Sequence, residues 1–243
     1  MGTEEAKKAA GYAAADRYVT SSMKVGMGTG STAVWAIRRI GERLAAGEIA
    51  DVIGVATSSQ SEFECHTLGI PLRSMNDPQI NGELDVTIDG ADEIDPACRL
   101  VKGGGGALLI EKIVAYASRN LVIVADQAKL VDNLGMAFAV PLEVLPLARV
   151  TVLAALRKMG FEPEVRIAER KMGAVITDNG NIIVDVRFPE PMDPVDMEDR
   201  LSRIPGVLGN GLFTRVSPTV LVGQEDGSVG QYGPAGQYGP AGQ

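Results

Sequence analysis

Residues 24–44 read KVGMGTGSTAVWAIRRIGERL: a short apolar strand at Lys24–Met27, a glycine turn from Gly28 to Thr32, then a helix running to about Leu44. The same step repeats outward from it. Apolar strand candidates recur at 52–56, 84–88 and 121–125, with helical stretches near 59–68 and 107–118 between them. Upstream, Thr3 followed by Glu4 and Glu5 opens an alanine-rich helix that ends by Tyr18. Strands alternating with helices predict an α/β fold, a doubly wound, mainly parallel sheet with helices on both faces.

Beyond Pro141 the pattern changes. A helix at 149–159 precedes strands at 164–168, 174–177 and 182–188, and a helix at 194–203 follows. Asp178-Asn179-Gly180 supplies the positive-φ residues of a tight hairpin, so the last two strands should be antiparallel neighbours. Together these segments predict a smaller inserted α+β lobe before the chain returns through 212–216 and 220–222. At the end, GQYGPA at 230–235 repeats at 236–241, and glycine with proline at this density predicts a flexible tail.

A formal net charge of -8 argues against nucleic acid and anionic membrane as partners, because both select basic surface. No apolar run approaches the roughly 18 residues of a membrane-spanning helix. The acidic opening, with Glu4 and Glu5, lacks the pattern of a signal peptide. Cys65 and Cys98 have no C-x-x-C spacing and His66 is the sole histidine, a poor ligand set for a transition metal. The composition therefore predicts a soluble, cytoplasmic protein with reduced thiols and no metal, and it leaves an anionic small ligand open.

Gly28-Thr29-Gly30-Ser31-Thr32-Ala33 lies where a strand enters a helix, so its N–H groups and hydroxyls can surround a phosphate. The same letters fit the dinucleotide pattern G-x-G-x-x-A, and Asp51 lies 21 positions after Gly30. Asp51, however, precedes the strand at 52–56, whereas an acid that binds a ribose must stand at the strand's carboxyl end. That end carries Thr57-Ser58-Ser59, which suits a small hydroxylated or phosphorylated ligand.

The strand at 84–88 ends in Asp89-Gly90-Ala91-Asp92-Glu93-Ile94-Asp95, placing carboxylates where open α/β sheets bind ligands. The run lacks the D-x-D-x-D-G order of a calcium loop. Lys102 is followed by glycines 103–106, whose entropic cost is explained by close backbone approach to a ligand. Glu111 follows on a helix, with Ala107, Leu108, Val114 and Ala115 as its helical neighbours. A carboxylate on such a face has a raised pKa and suits a general base near neutral pH. The plainer alternative is a Glu that reaches water or pairs with Lys112.

Taken together, the glycine turn, Asp89 to Glu93, Lys102 to Gly105 and Glu111 resemble the A-type ribose-5-phosphate isomerase family. The likeness continues through Ala125-Asp126-Gln127-Ala128-Lys129, Val140-Pro141-Leu142-Glu143-Val144, Thr177-Asp178-Asn179-Gly180-Asn181 and Ile204-Pro205-Gly206-Val207, covering about 7–227. The resemblance implies interconversion of D-ribose 5-phosphate and D-ribulose 5-phosphate through a cis-enediolate, without metal or organic cofactor, by a homodimer or homotetramer. It implies that Glu111 shuttles the proton, Lys102 faces the enediolate oxygen and Asp89 opens the sugar ring. Substrate binding then falls to Thr29, Gly30, Ser31, Thr32, Asp89, Gly90, Ala91, Asp92, Lys102, Gly103, Gly104 and Gly105. Lys129 adds charge at the phosphate, with Lys7 as a further candidate. The implied layout is a Rossmann-like catalytic domain at 1–137 with 207–228, a ferredoxin-like lobe at 138–206, and a tail at 229–243 in place of the family's closing strand.

Overall fold

Buried aliphatic strands form the centre of the fold in the computed structural model, which describes residues 4–233 and 238–240. α1 (Glu4–Tyr18) precedes β1 (Lys24–Met27), α2 (Ala33–Ala45), β2 (Ile53–Ala56), α3 (Ser59–Thr67) and β3 (Leu84–Asp89). Two short strands, β4 (Glu93–Ile94) and β5 (Leu100–Val101), lead to α4 (Leu108–Tyr116) and β6 (Ser118–Asp126). Next come β7 (Val140–Val144), α5 (Arg149–Lys158), β8 (Glu164–Val165), β9 (Ile182–Val186), α6 (Pro194–Ser202) and β10 (Val207–Asn210). β11 (Leu212–Phe213), β12 (Thr219–Gly223), β13 (Val229–Tyr232) and β14 (Tyr238–Pro240) follow.

The main sheet has the order β14-β13-β12-β6-β3-β1-β2. Its strands from β12 to β2 are parallel, and β13 and β14 add an antiparallel edge. Alternation along β6 supplies both faces. Val122 and Val124 pack with Ala10 and Ala14 of α1 and Ile37 and Ile40 of α2, while Leu121 and Ile123 pack with Ala115 of α4. The doubly wound expectation matches this arrangement.

The second sheet, β10-β7-β9-β8, is antiparallel throughout and is built in the order β7-α5-β8-β9-α6-β10, the split β-α-β of a ferredoxin-like lobe. Val140, Leu142 and Val144 of β7 pack there against Val152 and Leu156 of α5 and Met197 and Leu201 of α6. A third sheet, β11-β5-β4, takes two strands from between β3 and β6 and one from between β10 and β12. The expected hairpin is present through the antiparallel bridge Ile176↔Ile182, though of its turn residues only Gly180 has positive φ, at +81°. No helix among the described residues is long and apolar enough to cross a membrane.

Two expected boundaries are corrected. Val207–Asn210 pairs with β7, so the chain leaves the second sheet after Asn210 and not at 206. Val229–Tyr232 is a sheet strand, not the start of a flexible tail: it pairs with β12 while Tyr232, 8% exposed, packs with Leu121, Ile123 and Phe213. Burial of that aromatic ring outweighs the turn character of its glycine neighbours. Tyr238–Pro240 pairs with β13 in turn, and Pro240 is tolerated because β14 is an edge strand. Residues 234–237 and 241–243 of the repeats lie outside the described residues.

A buried aromatic in the sheet core must stabilise the fold, whereas one in a tail would not. Tyr232→Ala is therefore expected to cost about 3 kcal/mol, measured by urea denaturation.

Candidate active site

At the end of β1 the chain must turn tightly over the end of β3, and Gly28 permits it. A Cβ at Gly28 would lie 2.4 Å from both Asp89 Oδ1 and the Ile88 carbonyl oxygen. The turn is then fixed from below, because Asp89 Oδ1 accepts from the N–H groups of Thr29 at 3.0 Å and Gly90 at 2.7 Å. Thr29 Oγ1 also bonds Thr57 Oγ1 at 2.7 Å and Ser58 Oγ at 2.6 Å, joining the turn to the start of α3. Ser58 caps α3 in a reciprocal capping box with Ser61.

β5 delivers Lys102 to the same place, its N–H donating to the Gly211 carbonyl at 2.8 Å. The Lys102 ammonium stands 3.0 Å from Asp89 Oδ2 and 3.2 Å from Glu111 Oε1, and it donates to the Gly90 carbonyl at 2.6 Å. All three ionisable side chains are buried, with exposures of 0% for Asp89, 2% for Lys102 and 4% for Glu111. Glu111 Oε2 has no hydrogen-bond partner among the described residues.

Between Lys102 and α4 the glycine loop bends sharply, with φ of +100° at Gly103 and +81° at Gly106, values that side chains resist. Gly104 N–H donates to Asp92 Oδ2 at 2.7 Å, and a Cβ at Gly104 would sit 2.5 Å from Asp92 Oδ1. Close approach to a protein carboxylate thus explains part of the glycine run.

One buried ammonium faces two buried carboxylates. Burial pushes the Glu111 carboxyl up to about 8; the Lys102 charge opposes that shift and the Asp89 charge adds to it. For Lys102, burial favours the neutral amine, but the charges of Asp89 and Glu111 outweigh it and raise its pKa above the usual lysine value. The cluster therefore holds a fixed cation beside a carboxyl that exchanges its proton near neutral pH.

A cavity of about 240 Å³ opens over this cluster, a size suited to a small metabolite and too small for a dinucleotide. Of the sequence-predicted residues, Thr29, Gly30, Ser31, Thr32 and Lys129 line it, as do Gly90, Ala91 and Asp92. Lys102, Gly103, Gly104, Gly105 and Glu111 complete that set. Asp89 does not line the cavity; it lies covered beneath Thr29, Gly90 and Lys102. Lys7 pairs with Glu4 at 3.1 Å and is likewise not a lining residue.

Sequence reasoning missed one wall. Val175, Ile176, Thr177 and Asp178 reach the cavity from the second sheet, and the Asp178 carboxylate accepts from the Ser59 N–H at 2.9 Å and hydroxyl at 3.2 Å. That hairpin is built on buried Glu143, whose Oε1 accepts from Thr177, Asn179 and Asn181 at 2.9, 3.0 and 2.8 Å. Asp178-Asn179-Gly180 is legible as a turn, but nothing local tells where the turn docks.

The model of the family ribose 5-phosphate isomerase A (phosphoriboisomerase A) matches residues 53–227. Ribose-5-phosphate isomerase A of Treponema denticola is 44% identical over 236 residues, 94% of this chain and 99% of the relative. The Synechococcus sp. enzyme of the same name is 47% identical over 224 residues, 92% of each chain. Among solved structures, ribose 5-phosphate isomerase A from Methanocaldococcus jannaschii is similar at TM-score 0.87 and 39% identity, covering 93% of this chain and 97% of that one. A D-ribose-5-phosphate isomerase in complex with phospho-erythronic acid is similar at TM-score 0.90 and 41% identity, covering 96% of this chain and 100% of that one.

Removing the buried cation would leave the buried Asp89 and Glu111 side chains without their shared partner. Lys102→Met is expected to lose about 3 to 5 kcal/mol of stability at pH 8. Urea denaturation at that pH measures the loss.

Proposed function

We propose that this chain, which belongs to the ribose 5-phosphate isomerase A family, interconverts D-ribose 5-phosphate and D-ribulose 5-phosphate in the non-oxidative pentose phosphate pathway. The observation that carries the mechanism is the cavity-lining Glu111, which has one oxygen 3.2 Å from the Lys102 ammonium and the other without a hydrogen-bond partner among the described residues. Its free oxygen removes the proton from C2 of the open-chain aldose and returns it to C1, while the O2 hydroxyl proton passes to O1. In between, the substrate is a cis-enediolate whose negative oxygen faces Lys102. A preorganised donor of this kind contributes about 3 to 4 kcal/mol to the transition state.

Asp89 is covered by its neighbours and meets the sugar only through the Lys102 ammonium, so its part in ring opening is to hold that cation beside the sugar. Asp92 and the glycine loop hold the sugar hydroxyls. The phosphate lies against the N–H groups and hydroxyls of Thr29, Gly30, Ser31 and Thr32 at the start of α2, with Lys129 adding positive charge. Phospho-erythronic acid, bound in the relative at 41% identity, supports this reading: it is a phosphate ester whose planar carboxylate has the shape and charge of an enediolate. No metal or organic cofactor takes part in these steps.

The reading includes a cytoplasmic enzyme that works as a homodimer or homotetramer. Exposed Leu147 and Val150 beside β7, together with Leu208 of β10, offer apolar surface for a subunit contact.

Purified protein is expected to isomerise ribose 5-phosphate equally well with and without EDTA, as followed by a ribulose 5-phosphate assay. Glu111→Gln should lower kcat by about 10²- to 10⁴-fold while KM changes little; undiminished turnover would remove Glu111 as the base. The base works as the carboxylate, so kcat/KM should rise about tenfold per pH unit below its pKa and level off above about 8. A profile flat from about pH 6 to 9 would show that another group carries the proton.

A further inference from the structure

The glycine loop has no side chains with which to hold itself, so something outside it must select its shape. The Arg166 side chain, just beyond β8, makes four hydrogen bonds, two of them to the loop. Its Nε and Nη2 donate to the two oxygens of Asp185 in β9 at 2.7 and 2.5 Å, a fork that fixes the guanidinium plane. Its Nη1 donates to the carbonyls of Gly103 at 3.1 Å and Gly104 at 2.9 Å. The pair is largely enclosed, with side-chain exposures of 18% and 22%. The Gly103 carbonyl also accepts from the Gly106 N–H at 2.9 Å, so Arg166 grips the turn at the point that closes it.

We propose that Arg166, held by Asp185, is a positioning residue: a strut from the second sheet that sets the glycine loop and, through it, Lys102, Asp92 and Glu111. Neither strut residue lines the cavity. Their action is carried by the backbone. With the Gly103 and Gly104 carbonyls held outward, the Gly104 N–H is turned to Asp92, and the ends of the loop place Lys102 on one side and the helix of Glu111 on the other. A lysine cannot substitute, because one ammonium lacks the geometry to grip a carboxylate with both oxygens and two carbonyls together.

This proposal rests on the isomerase reading, and the experiment separates the two. Wild type, Arg166→Lys, Arg166→Ala and Asp185→Asn are assayed on ribose 5-phosphate, with Tm measured on the same samples. Both Arg166 variants should lose about 10- to 100-fold in kcat, in line with a small misplacement of catalytic groups, while KM changes far less. Asp185→Asn, which keeps the arginine but frees its fork, should fall between them and wild type. Guanidinium ion at low millimolar concentration should restore part of the kcat of Arg166→Ala and none of that of Glu111→Gln. Wild-type kcat in Arg166→Lys, or a lowered Tm with unchanged kcat in the variants, overturns the strut. Should Arg166→Ala fail to fold, Arg166→Lys and Asp185→Asn decide: wild-type kcat in both rejects the proposal and a selective loss of kcat supports it. A wild-type protein without turnover overturns the isomerase reading itself, and the strut's catalytic consequence with it.

Discussion

The Lys102 ammonium, enclosed between Asp89 and Glu111, is the interaction on which the other features of the site depend. Two buried carboxylates beside each other would repel, and burial alone disfavours such charges. One buried cation changes that balance only if it stays within about 3 Å of each, and a flexible lysine does so only when its backbone is fixed. The fixing comes from β5, from the Gly90 carbonyl that accepts from its ammonium, and from Gly211, whose carbonyl accepts the Lys102 N–H.

Gly211 also connects the third sheet to the second. Its N–H donates to the Pro141 carbonyl in β7 at 2.8 Å, and a Cβ there would sit 2.3 Å from the Lys102 carbonyl oxygen. The short third sheet therefore acts as a seam: it holds the lysine of the cavity floor against the first strand of the ferredoxin-like lobe. From that lobe come the Thr177 hairpin and Arg166, so both sides of the cavity are referred to the same seam.

What was legible in the sequence follows from this arrangement. Parallel strands such as β1 and β3 are short apolar runs between helices, and their local pattern suffices to place them. β7 was hidden because all five of its residues are buried, so no alternation shows, and Pro141 reads as a breaker. β4, β5 and β11 have two residues each, too few to carry a period. β13 was hidden by glycine, since its strand character comes from pairing with β12 and from the burial of Tyr232. At the cavity, Glu111 could be singled out because helical neighbours are local in sequence, Asp89 because it follows a legible strand, and Lys102 because four glycines follow it. The Asp178 contact spans 119 positions and the Arg166 contacts 62 and 63, distances at which sequence pattern says nothing. Nor does a motif tell depth: Asp89 was expected to meet the sugar, and it lies beneath the residues that line the cavity.

The two opposed pKa shifts explain how one cluster can divide its labour. A group that exchanges protons easily is a poor fixed charge, and a fixed charge is a poor proton carrier. Asp89, fully covered, adds negative charge that keeps Lys102 protonated while making Glu111 harder to ionise. One silent carboxylate thereby pushes the cation and the proposed base in the directions their tasks require, the lysine towards permanent charge and the glutamate towards exchange near pH 8. Exchanging Asp89 for a neutral residue would weaken both shifts together, because the same charge produces them.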